Sequence, residues 1–88
     1  MSIEVKIITA PWDAYRMLIE HYCKILQSAG IRCSIVEYGG LNLVELGLAS
    51  REGSLTIPTA LIYCGDEVKA VGIRLFKVLR QIAATKQC

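Results

Sequence analysis

Four cysteines, one histidine and an acid–base pair at positions 13 and 16 are the side chains from which this 88-residue chain could build a reactive centre. Cys23, Cys33, Cys64 and Cys88 lie far apart, with nine, thirty and twenty-three residues between them. None forms the close cysteine pair, or the cysteine and histidine at ligand spacing, that a zinc site requires, so no metal and no cofactor is expected. Cys23, Cys33 and Cys64 read as small core fillers or as disulfide partners. Cys88, at the end of the sequence, is expected to be mobile and hence the reactive thiol or an intermolecular bridge. His21, beside Tyr22 and Cys23 in a helical stretch, reads as a surface or boundary residue rather than a ligand.

The other chemistry sits where the apolar segment Ile3 to Ile8 gives way to Thr9-Ala10-Pro11-Trp12-Asp13-Ala14-Tyr15-Arg16. The β-branched residues before it favour a strand, and Pro11 lacks the N–H needed to continue a strand ladder. The Asp13 carboxylate can accept a hydrogen bond from the N–H of Tyr15 or Arg16, and its charge is favoured at the positive end of a helix dipole. Asp13 is therefore expected to be an N-cap. Arg16 lies three residues on, within reach of an exposed ion pair with Asp13 worth about 0.2–0.5 kcal/mol. Trp12 is the chain's one tryptophan. It reads either as a core residue or as an exposed contact anchor.

These side chains need elements to hold them. From Asp13 to Ala29 apolar residues fall at 15, 18, 19, 22, 25, 26 and 29, the stripe of an amphipathic helix, and Gly30 stops it. Ile31 to Tyr38, bounded by Gly39 and Gly40, reads as a second strand, parallel to the first because a helix joins them. In Leu41 to Ser50, Asn42 and Glu45 have capping-box spacing while Gly47 weakens the interior, so a short or ragged helix is expected, ended by Gly53 and Ser54. A run from Leu55 to Cys64, with Pro58 as the first strand residue, is followed by Gly65-Asp66 and a second run from Glu67 to Val71. Runs joined by so tight a turn form an antiparallel hairpin. After Gly72, the apolar positions 75, 76, 79, 82 and 83 predict a last helix over 73–84. The expected order is β-α-β-α-β-β-α, an α/β fold with a four-stranded mixed sheet and helices on both faces, as a single domain over residues 1–88.

The apolar share is 53% and the mean hydropathy +0.43. Both fit a sheet covered on both faces, or an apolar surface patch used for self-association as a homodimer. No apolar run approaches the roughly 20 residues that span a bilayer, and Glu4 and Lys6 in the first strand are unlike a signal peptide, so a cytoplasmic protein without membrane partners is expected. The net charge of +2 is uneven: all eight acids lie at or before Glu67, and Lys69, Arg74, Lys77, Arg80 and Lys86 follow it. A solvated helix face explains that basic end better than nucleic-acid contact, which has only charge behind it.

With element order and local motifs together, the chain resembles the thioredoxin and glutaredoxin superfamily along almost its whole length. Thr9-Ala10-Pro11-Trp12 at the mouth of a long helix is similar to the approach to that family's Cys-x-x-Cys motif. Thr56-Ile57-Pro58-Thr59 resembles its cis-proline loop, and Gly65 and Gly72 match its hairpin turn and the glycine before its final helix. The resemblance implies a cis Ile57-Pro58 bond. It also puts Asp13 and Arg16 at the two cysteine positions, where neither a carboxylate nor a guanidinium replaces the thiolate nucleophile and resolving thiol. What it then implies is a degenerate member, not an enzyme, whose contact surface for a protein or peptide partner is formed by Pro11, Trp12, Asp13, Tyr15, Arg16, Ile57 and Pro58. The backbone of Ile57 would pair with an extended peptide or a glutathione-like ligand. The rival implication is a thiol–disulfide oxidoreductase or glutathione-binding protein working through a cysteine outside the usual motif. Cys23, over two helical turns from the mouth, is too far to resolve a bond at position 13.

Overall fold

The computed structural model describes residues 3–50, 57–72 and 74–88. Its elements in chain order are β1 (Ile3–Thr9), α1 (Arg16–Ser28), β2 (Arg32–Glu37), α2 (Leu43–Ala49), β3 (Thr59–Cys64), β4 (Glu67–Val71) and α3 (Leu75–Thr85), with a 3-10 turn at Tyr38–Gly40. The four strands form one mixed sheet in the order β2-β1-β3-β4. β1 runs parallel to β2 and antiparallel to β3, and β4 closes the hairpin with β3. The α/β class, the element order and the mixed sheet are those expected from the residue pattern.

Alternation along β1 sorts the two faces. Ile3, Val5 and Ile7 join Ala60, Ile62 and Cys64 of β3, Ile19, Cys23 and Leu26 of α1 and Leu75, Leu79 and Ile82 of α3 in the main core. Ile8 and Leu61 point the other way, packed with Leu41 and with Leu48 of α2. Residues one apart in a strand face opposite sides, so an almost wholly apolar strand needs both faces covered. Each fully buried Ile or Leu side chain contributes about 1.5–3 kcal/mol relative to exposure.

Element boundaries differ from the expectations at several points. The first helix starts at Arg16 rather than Asp13, and of its expected stripe only Ile19 and Leu26 are buried, joined by Cys23. Leu18 and Ile25 flank that face and are exposed. Gly30, at φ +82°, ends the helix in a conformation that costs a side-chain-bearing residue more. β3 begins at Thr59, so Pro58 precedes the strand, where its missing N–H interrupts no ladder. The expected parts of that run at Leu55 and Thr56, and the expected helix stop at Gly53 and Ser54, lie outside the described residues. α3 begins at Leu75 and runs to Thr85. The Asn42–Glu45 capping box is formed: the Glu45 N–H donates to Asn42 Oδ1 at 2.8 Å and the Asn42 N–H to Glu45 Oε1 at 3.3 Å. The second Glu45 oxygen accepts from Lys6 Nζ at 2.7 Å, tying α2 to β1.

Cys88 corrects its expectation. It is bonded to Cys64 within the same chain, with an S–S distance of 2.06 Å, and is neither free nor an intermolecular bridge. Lys86, in the left-handed conformation at φ +56°, turns the chain at the end of α3 and brings Cys88 back to the last residue of β3. Among the described residues no helix is long and apolar enough to cross a membrane.

Candidate functional site

Three segments leave the sheet at one end. Thr9 closes β1 and is paired with Glu37, the last residue of the parallel β2. Ile8 is paired with Thr59, which opens β3 directly after Ile57 and Pro58. The Pro11–Arg16 segment, the Glu37–Gly40 segment and the Ile57–Pro58 loop therefore emerge side by side. The Ile57–Pro58 bond is cis.

The path of the first segment follows from its residues. The Asp13 N–H donates to the Ala10 carbonyl at 3.0 Å, closing a turn with Pro11 and Trp12 at its two central positions. Pro11 holds the φ that a first central turn residue needs. Trp12 is at the apex of this turn and is 75% exposed. The core reading of the tryptophan is therefore not the one adopted. A second turn follows, with the Arg16 N–H donating to the Asp13 carbonyl at 3.3 Å, before α1 begins.

Asp13 is not the cap of α1; Tyr15 occupies that position, without a side-chain cap bond. Asp13 does accept the expected bond from the Tyr15 N–H, at 2.9 Å, in an Asx-type turn one step before the helix. Its other oxygen accepts from the Thr9 hydroxyl at 2.8 Å, and the residue is only 8% exposed. The carboxylate thus ties the turn to the end of β1. Both of its oxygens are engaged in holding backbone shape.

Arg16 does not pair with Asp13. Its two terminal guanidinium nitrogens lie 3.2 and 3.3 Å from Glu37 Oε1, a link from the start of α1 to the end of β2. Glu37 was not among the expected site residues. The signal for it was present in the parallel pairing, which places the end of the second strand beside the start of the first helix. Tyr15, half exposed, packs its ring against Phe76 of α3 at 5.8 Å between centroids. Met17, Leu18 and Tyr38 are also exposed. Leu43 and Val44, also strongly exposed, lie on α2, which packs on the opposite face of the sheet.

Of the cysteines, Cys64 pairs in the sheet with Ile3, at the end away from the mouth, and its bond to Cys88 lies there. Cys23 is buried and Cys33 half-buried, both as free thiols. Burial first, and then the neighbouring Cys23 thiol, push the Cys33 pKa well above the ordinary thiol value. His21 is exposed, edge-on to Tyr22. Among the described residues no group of three or more metal-ligating side chains gathers.

This end of the sheet thus carries the exposed Trp12, Tyr15 and Tyr38 and the Arg16–Glu37 ion pair, with no thiol at position 13 or 16. No family model and no curated protein matches the chain. It is similar to the solved structure of a malarial protein, at 15% sequence identity and a TM-score of 0.53, over 92% of this chain and 96% of that one. At that identity the likeness is one of fold.

Proposed function

We propose that this protein is a thioredoxin-like binding or assembly module whose mouth, Pro11 to Arg16, together with the Ile57–Pro58 loop, contacts an extended segment of a protein partner. The observation that carries the reading is Trp12: a large aromatic side chain, three-quarters exposed, held at the apex of a turn whose carboxylate anchor is buried. An exposed aromatic on a rigid support loses little side-chain entropy when it is covered, which is what an interface anchor requires. The cis Ile57–Pro58 bond beside it and the strand order are further support for the family resemblance.

The test is a screen of synthetic extended peptides for binding, read by fluorescence polarisation of the labelled peptide. Trp12→Ala should weaken a bound peptide roughly 30-fold or more, the loss typical of an aromatic hot spot, while leaving thermal stability unchanged. In an insulin-reduction assay the protein should not accelerate turnover by dithiothreitol. Turnover that disappears when one cysteine is replaced would overturn the reading in favour of a thiol oxidoreductase. The raised pKa of Cys33 opposes that rival, because the thiolate is the attacking species.

A further inference from the structure

Cys23 and Cys33 have no part in the mouth, yet the fold brings them together. Cys33 pairs with Val5 in the parallel ladder, and laterally paired residues point to the same face of a sheet. Val5 is fully buried in the core beneath α1, so the Cys33 side chain faces α1, where it packs against the cluster containing Cys23. One further side chain reaches both residues: Gln27 Nε2 lies 3.8 Å from Cys23 Sγ and donates to the Cys33 carbonyl at 3.0 Å. After burial, the Cys23 thiol is the neighbour that raises the Cys33 pKa, as two thiols close together in one core would. Cys23 is 5% exposed, while Cys33, on the edge strand, is within reach of solvent.

We propose that Cys23 and Cys33 form a second, reversible disulfide that fastens α1 to β2 when the protein meets a small-molecule disulfide of the glutathione class. The Cys33 thiolate attacks one sulfur of the oxidant, forming a mixed disulfide and expelling one small thiolate. The Cys23 thiolate then attacks the Cys33 sulfur of that mixed disulfide, and the second small thiolate leaves. Two protein thiols are oxidised and one small disulfide is reduced to two thiols, whose protons are those given up by Cys33 and Cys23. Because few Cys33 side chains are ionised near neutral pH, the bridge forms slowly and serves to fasten the two elements rather than to turn over substrate. The pairing stands apart from the proposed role of the mouth, and neither needs the other.

The test uses the whole chain with its Cys64–Cys88 bond intact. After equilibration in glutathione buffers of increasing oxidised fraction, the protein is acid-quenched, its remaining thiols are blocked, and it is digested with trypsin. Cleavage after Arg16, Lys24, Arg32 and Arg51 places Cys23 in peptide 17–24 and Cys33 in peptide 33–51. The expected product is these two peptides joined, about 2 Da lighter than the sum of their free forms, and separated again by dithiothreitol. Glutathione retained on Cys33 without passing to Cys23 would overturn the proposal, as would linkage of either residue to Cys64 or Cys88. So would two thiols still open to blocking at every oxidised fraction. The reduced protein should also bind the dithiol reagent phenylarsine oxide one-to-one, and Cys33→Ala should abolish that binding. Binding that persists in Cys33→Ala would count against the pair.

Discussion

Replacing Asp13 with alanine removes the acceptor for both the Thr9 hydroxyl and the Tyr15 N–H. The buried Thr9 hydroxyl would keep only a long 3.5 Å contact to the Ala10 carbonyl, so Asp13→Ala should lower the urea-unfolding free energy by about 1–3 kcal/mol, the cost of a buried donor left poorly paired. Combined with Thr9→Val, the two changes should fall short of additivity by about 0.5 kcal/mol or more, because they share one bond. Glu45 makes a pH-dependent contribution. The Lys6 ammonium, followed by the Asn42 backbone N–H, holds its carboxyl below the ordinary carboxylate range, and the Glu45 bond holds Lys6 above the ordinary lysine value. The depressed acid contributes stability above its unfolded pKa, about 4.3, and loses it as pH falls through the folded value. The raised lysine contributes below about 10.4 and loses it as pH climbs through its own folded value. Thermal melts from about pH 7 down to about pH 2 should show a shallower acid decline for Glu45→Gln than for the parent protein.

Between elements, the Cys64–Cys88 bond joins the end of β3 to the chain beyond α3 and encloses β4 and α3 in a loop with a sequence separation of 24. A loop of that length removes about 3.5 kcal/mol of unfolded-chain entropy when closed. Cys88→Ser, at an exposed position that leaves the core untouched, should reduce stability by that order and raise the urea m-value as the unfolded chain opens. Most of the elements were legible in the residues. The β-branched run, the glycine stop at 30, the Asn42–Glu45 spacing and the Gly65-Asp66 turn each act through local stereochemistry, which a sequence displays directly. What was hidden depends on tertiary geometry. Arg16 chose Glu37 over Asp13 because the parallel ladder brought Glu37 close while Thr9 and a backbone amide had already occupied the Asp13 carboxylate. Cys88 found Cys64 because the length of α3 and the turn at Lys86 carried it back to the sheet. The buried stripe of α1 is narrower than its periodicity for a similar reason, since periodicity marks a face but not which edge of it a neighbouring helix covers.

At the scale of the molecule the two ends of the sheet differ in kind. One end carries the Trp12 turn, the Arg16–Glu37 pair and the Ile57–Pro58 loop, held by hydrogen bonds and packing. The other is closed by a covalent bond between sulfurs. Asymmetry of this sort confines the covalent restraint to the end of the sheet away from the mouth. It also governs how the molecule bears force. If the chain is held at Ile3 and Cys88 and drawn apart, tension passes across the sulfur bridge and never enters β4 or α3. About 80 Å of contour length stays hidden in the closed loop until a reductant severs it. The backbone of the hairpin's second strand and of the last helix is therefore bypassed, and the covalent path of the load runs from Ile3 to Cys64 and across the sulfur bridge.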